Sequence, residues 1–207
     1  MARLVIVGAG GHGRVAADAA VLMRQWDEIA FFDDKYPDVK KVSIWPVESS
    51  IRDVEARLLS TDSFVVAIGN AALRQRLFVK LSSIAAPINI IHPSAVLSPR
   101  VNIGLGCVLF AGSVVNIGAS LGDGVIINTG ATVDHDCQLA AFSHICPGAH
   151  VAGDVVIGER TWIGVGAAIK HGVRIGRDVM VGAGAVVISD IPDACTVVGN
   201  PARVLAK

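Results

Sequence analysis

From residue 91 onward the hydrophobic positions of the chain recur with a period of six. Stepping by six from Ile91 to Val187 meets seventeen residues, and every one is Ile, Leu or Val. The residue four places after each is small or β-branched, from Ala95 through Cys107, Ser113 and Cys137 to Ile191. Glycine fills many of the turn positions between them, as in Ile103-Gly104, Leu121-Gly122 and Ile157-Gly158. A repeat this short and regular predicts a solenoid, because each unit buries its apolar side only by stacking on its neighbours. One large and one small residue per hexad fill a narrow prism with three strand faces. Three hexads make a coil, so residues eighteen apart stack at roughly 4.8 Å. Burial of each large aliphatic contributes on the order of 1.5–3 kcal/mol before entropy. In this register Cys107 and Cys137 are small core residues, which argues against a nucleophilic role.

The first ninety residues follow another pattern. Arg3–Val7, Ile29–Phe32 and Phe64–Ile68 are short apolar runs of the buried-strand type, and residues 14–24 and 71–84 carry helical patterns. Between the first strand and the first helix lies Gly8-Ala-Gly-Gly-His-Gly13, with Asp33 and Asp34 about twenty residues further on. Glycines let a backbone approach a phosphate, and a helix N-terminus offers it free N–H groups. The alternative is a tight strand-to-helix turn without a ligand. A full dinucleotide fold needs two such halves, so about ninety residues suit a mononucleotide moiety better than NAD. The expected architecture is an α/β Rossmann-like domain over residues 1–90, followed by an all-β parallel β-helix over residues 91–207.

Lysine plus arginine equals aspartate plus glutamate, at 18 each, so no global charge points to nucleic acid. Mean hydropathy is high at +0.57, yet charges or glycines interrupt each apolar run before it reaches a membrane-spanning length. The N-terminal LVIVGAG loosely imitates a leader, but His12 and Arg14 interrupt it. The four cysteines form no CxxC pair, as expected in a reducing compartment, and a cytoplasmic location follows.

The candidate chemistry lies in Val133-Asp-His-Asp-Cys137. Val133 and Cys137 are inward positions of the repeat, so His135 is expected to point outward from a rigid frame. A histidine flanked by carboxylates is a plausible general base. Gly153 is eighteen residues on and stacks one coil above it, and His171 stacks two coils above. His144 and His150 end their hexads in outward positions. His92, beside Pro93, reads as structural, and His150 and His171 as solvated or near a phosphate. No histidine pair has the spacing of a prism-bound zinc, so no metal is expected.

Taken together, GAGGHG at 8–13, FFDD at 31–34, VAIGN at 66–70 with Arg74, IHPSA at 91–95, NTGATVDHD at 128–136, FSH at 142–144, AGD at 152–154 and VVGNPAR at 197–203 resemble the PglD/NeuD-type bacterial nucleotide-sugar acetyltransferases. The resemblance covers essentially the whole chain. It implies a left-handed β-helix and a homotrimer with acetyl-CoA between adjacent prisms, without metal. It makes His135 the general base and Asp136 its carboxylate partner, where some relatives have glutamate. It places His144, Ala152, Gly153 and Gly164 at acetyl-CoA, with the Gly153 N–H meeting the thioester oxygen. Gly10, Gly11, His12, Gly13, Asp33, Asp34, Gly69, Asn70 and Arg74 would form the nucleotide-sugar pocket, with Asn116 and Asn128 bordering the sugar. The reaction so implied is direct acetylation of the 4-amino group of a UDP-linked amino sugar for cell-surface glycan synthesis. Acetylation of a sugar hydroxyl, as on a sialic acid, and a non-catalytic nucleotide sensor remain the alternatives.

Overall fold

A computed structural model describes residues 2–205. The chain divides into two compact units, Met1–Pro93 and Ser94–Lys207.

The first unit is built on a sheet of β1 (Arg3–Val7), β2 (Glu28–Phe32), β3 (Lys41–Val42), β4 (Trp45–Ser49), β5 (Ser63–Val66) and β6 (Ala86–Pro87) in the order 3-4-2-1-5-6. All neighbours are parallel except the β3–β4 hairpin. Leu4–Val7 and Phe31–Phe32 are fully buried, as strands covered on both faces should be. The helices are α1 (Gly11–Met23), a single turn α2 (Val54–Arg57) and α3 (Ala71–Leu81). Helix α1 begins at Gly11, three residues before the alanine-rich pattern predicts. The β3–β4 hairpin has too little periodicity to be read from the sequence. Strands β2, β1 and β5 run parallel, so the turns that follow them leave the same edge of the sheet, and the order in which strands are added reverses at β1. That edge is where open α/β sheets take ligands.

The second unit carries sixteen two-residue strands, from Val96–Leu97 to Val186–Val187, and each ends on an aliphatic of the six-residue ladder. They stack into three parallel faces. The first runs through Val114–Val115, Thr132–Val133 and His150–Val151. The second runs through Ser120–Leu121, Gln138–Leu139 and Val156–Ile157. The third runs through Ile126–Ile127, His144–Ile145 and Trp162–Ile163. From Leu109 to Val187 every large inward residue is at most 2% exposed, and Leu97 and Ile103, at the start of the array, are less covered. The sheets close with Thr196–Val198 and the antiparallel Arg203–Val204.

The corners depend on one backbone position per hexad. From residue 106 to residue 184, every sixth residue has a left-handed φ between 54° and 76°. Glycine takes nine of these fourteen positions, and Asp136, Phe142, Asp154, Arg160 and Asp178 take the others. A non-glycine side chain there costs about 1–3 kcal/mol, least for aspartate and asparagine.

Candidate active site

His135 sits at the corner between the first and second faces, held between the buried Val133 and Cys137. Its two aspartates do different work. Asp134 accepts from Asn116 Nδ2 at 2.8 Å and from the His135 N–H at 2.8 Å, which pins the turn. These bonds, Asn116 foremost, hold the Asp134 carboxyl below its ordinary range. Asp136 lies 2.9 Å from His135 Nδ1. With the proton on Nδ1 facing that carboxylate, the Nε2 lone pair is left to act as a base. The Asp136 bond is the main cause of a raised His135 pKa, the charges of Asp134, Asp136 and Asp154 add to it, and desolvation opposes it. The His135 side chain is 46% exposed, so its ring is open to a substrate. Gly118, one coil below Asp136, leaves room for that carboxylate: a Cβ there would collide with it.

Gly153 stacks on this ring from the coil above. A Cβ on Gly153 would stand 2.5 Å from both Cε1 and Nε2 of His135. The Gly153 carbonyl accepts from Gly172, while its N–H has no hydrogen-bonded acceptor among the described residues. A free donor therefore lies beside the basic nitrogen. Ala152 next to it is tied into the frame: its carbonyl accepts from Cys137 Sγ at 3.1 Å, and its N–H donates to Ile169. Cys137 is fully buried as core filling, and that burial raises its thiol pKa. Two shallow grooves flank the corner, one bordered by Asn116, Asp134 and Ala152, the other by Gly118, Asp136 and Gln138. His135, Asp136 and Asp154 bring ligand-capable atoms within 4.8 Å of one another, a grouping that histidine spacing alone does not disclose.

His144 is not part of this corner. It lies on the third face, which is opposite the His135 corner in the same prism. It is also only 5% exposed, although its position is outward. Trp162, its register partner eighteen residues on, covers it edge-on at 4.2 Å between centroids. Asn128 Nδ2 approaches His144 Nε2 at 3.0 Å, and Asn128 Oδ1 accepts from the Thr129 N–H. Gly164 follows Ile163 on this face, and a Cβ there would meet the Val181 carbonyl oxygen at 2.5 Å. The residues read as one site thus form two groups within the single chain. His150 bonds Thr132 Oγ1 at 3.0 Å and stays exposed.

In the first unit the glycines divide by function. A side chain on Gly13 would run into the Gly8 carbonyl, whereas Gly10, Gly11 and Gly69 face open space. Gly8 and Gly13 thus serve close packing, and Gly10 and Gly11 leave the α1 N-terminus accessible. Several polar residues of the expected pocket are engaged by the protein itself. Asp33 accepts from the Ala9 N–H at 2.7 Å and the Lys35 N–H at 2.9 Å, Asp34 from the Ile51 N–H at 3.2 Å. Asn70 caps α3, and Arg74, 2% exposed, donates to the Ile68 and Gly69 carbonyls. His12 is held neutral: burial, then the charge of Arg74, lowers its pKa to about 4. A hollow lined by Gly11, Arg14, Asp18, Ser43 and Trp45 adjoins α1. Ser43 and Trp45 belong to the hairpin region, which the sequence pattern did not disclose, and Arg14 and Asp18 lie on α1, where the sequence suggested only a helix.

Residues 3–81 match the PglD N-terminal domain, and residues 154–189 match the bacterial transferase hexapeptide (six repeats). Over the whole chain, the fold superposes on the acetyltransferase domain of PglB from Neisseria gonorrhoeae, solved in complex with acetyl coenzyme A. That match has a TM-score of 0.94 and 42% identity, and covers 98% of both chains. The chain belongs to the PglD-type family of nucleotide-sugar acetyltransferases. PerB from Caulobacter crescentus, in complex with CoA and GDP-perosamine, also matches, with a TM-score of 0.90 and 39% identity over 100% of this chain and 98% of that one. UDP-N-acetylbacillosamine N-acetyltransferase of Bacillus subtilis is 36% identical over 113 residues, spanning 54% of this chain and about half (52%) of the relative. Among the described residues, no helix is long and apolar enough to cross a membrane.

Proposed function

We propose that this protein transfers the acetyl group of acetyl-CoA to the amino nitrogen of a nucleotide-linked amino sugar, with His135 as general base. The observation that carries the reading is the corner where His135 Nε2, oriented through Nδ1 by Asp136, adjoins the free Gly153 N–H. A base and an oxyanion donor at one point are what acyl transfer from a thioester needs.

In this mechanism acetyl-CoA supplies an activated thioester carbon. Nε2 takes a proton from the acceptor nitrogen as that nitrogen attacks, and Asp136 stabilises the resulting imidazolium. The Gly153 N–H meets the charge developing on the thioester oxygen. Coenzyme A leaves as a thiolate, which needs little acid help because a free thiol has a pKa of about 8.5. The first unit binds the nucleotide at Gly10 and Gly11 with the α1 N-terminus. The division of labour falls near residue 91. UDP and a 4-amino group are the proposed specificity, in line with the Bacillus relative's name, and the Caulobacter relative's GDP-sugar makes guanosine the first alternative to test. Since His144 and His135 occupy opposite parts of one prism, His144, Asn128 and Gly164 join the site from a neighbouring copy in a homotrimer. A place in cytoplasmic synthesis of surface glycans follows from such a substrate.

The test is to incubate the protein with acetyl-CoA and a panel of UDP-, GDP- and dTDP-linked amino sugars and weigh the products. N-acetylated nucleotide sugar with release of one coenzyme A supports the reading. Acetylation of a hydroxyl only, or nucleotide binding without transfer, contradicts it.

A further inference from the structure

Successive turns of the His135 corner treat one backbone N–H differently. Ile117, His135, Gly153 and His171 stack at intervals of eighteen residues, one per coil. Of these four N–H groups, only that of His135 meets an acceptor among the described residues. The acceptor is Asp134 Oδ1 at 2.8 Å, and the same oxygen accepts from Asn116 Nδ2 at 2.8 Å. Ala152 and Lys170 stand at the position of Asp134 one and two coils above, and Asn116 stands there one coil below. The backbone ladder runs through all four positions, each donating its N–H to a carbonyl in the next coil. The prism therefore closes this corner without a side-chain acceptor, and the fold does not require the Asn116–Asp134 pair.

We infer that Asn116 is a positioning residue for His135, acting through Asp134, and not a contact of the sugar. This deepens the general-base reading proposed above and rests on it. The His135 ring is 46% exposed, so packing alone does not set its direction. Asp136 anchors the ring at Nδ1, and Asp134 anchors the backbone from which the ring springs. A half-buried carboxylate held by one turn N–H can still rotate about its own side-chain bonds. Asn116 removes that freedom, because its own N–H is fixed to the Val133 carbonyl at 2.9 Å and its amide reaches up to Asp134. Its bond is also the first cause of the low Asp134 pKa, so the carboxylate stays a charged acceptor while the base works. The Asn116 amide borders the groove beside Asp134 and Ala152, yet its nitrogen is engaged within the protein. A base must lie within hydrogen-bond reach of its proton, and a displacement of about 1 Å costs on the order of 10²-fold in rate.

The experiment measures kcat and both KM values for Asn116→Ala, Asp134→Ala, the double variant and Asp134→Asn. The substrates are acetyl-CoA and a UDP- or GDP-linked amino sugar that the unaltered protein acetylates. Alanine already occupies the equivalent position one coil above, as Ala152, so the prism tolerates it. Asn116→Ala should lower kcat roughly ten- to hundredfold, with both KM values held within about twofold. The double variant should be no slower than Asp134→Ala, because residues that act as a unit share one loss. Asp134→Asn keeps an oxygen for both bonds and should recover about tenfold of the rate that Asp134→Ala loses. An unchanged kcat in Asn116→Ala, a raised amino-sugar KM in its place, or losses that multiply in the double variant overturns the inference and leaves the proposed function standing. Absence of transfer by the unaltered protein overturns both.

Discussion

Gly153 and His135 occupy one column of the prism so closely that a single methyl group on the glycine would stand 2.5 Å from the imidazole's Cε1 and Nε2. The obstacle is the end of an exposed side chain, so the ring can swing away at little cost to the fold. Gly153→Ala should therefore leave the unfolding free energy within about 1 kcal/mol of the original and lower kcat by on the order of 10²-fold, through misplacement of the base. Gly13→Ala is the contrast. There the collision is with the Gly8 backbone carbonyl, and stability should fall by about 2 kcal/mol or more. Denaturant melts with steady-state rates on both variants separate the two behaviours.

Asp136 has a left-handed backbone and a carboxylate on His135 Nδ1, so its structural and chemical roles oppose each other. Asp136→Gly relieves the backbone and removes the carboxylate together. Stability should hold or rise by up to ~1 kcal/mol while kcat falls. Loss of stability and activity in parallel would mean that Asp136 serves the fold alone.

The pH dependence follows from the same bond. The base works when neutral, and Asp136 raises its pKa, so kcat/KM should climb with pH through a midpoint above the ordinary 6.5 of histidine. Removing the carboxylate lowers that pKa. In Asp136→Asn the rising limb should move to lower pH even as the plateau drops. A limb that stays in place would assign the titration to another group.

His12 gives a stability prediction for the first unit. Its pKa is about 4 in the folded chain against 6.5 in the unfolded one. Between these values the unfolded state binds a proton that the folded state refuses, so stability is fully present above about pH 6.5 and is lost as pH falls toward 4. The effect is at most about 3 kcal/mol. Denaturant melts of His12→Asn and the unaltered protein at pH 7 and 4.5 should show a smaller acid loss in the variant.

The β-helix was legible because its six-residue period leaves no freedom: one position must be large, one small, and both point inward. Stacking by eighteen also put Gly153 over His135 correctly. The same arithmetic pairs His144 with Trp162, yet an outward position does not reveal that an indole will cover it. The hairpin Lys41–Ser49 stayed hidden because its strands are short and carry Pro46. Helix α1 starts on glycines, whose low helix propensity masks the boundary. Asp33 and Asn70 illustrate a further limit. Their types and spacing suit a ligand, but only coordinates show that Ala9 and Leu73 already hold their oxygens.

The central claim is that His135 removes the proton from the acceptor. The direct measurement is kcat/KM of His135→Ala for a nucleotide amino sugar, with acetyl-CoA binding followed in parallel by calorimetry. A fall of roughly 10²–10⁴-fold with acetyl-CoA affinity retained is the expected result. Near-original turnover in that variant would contradict the assignment and move the chemistry away from this corner of the prism.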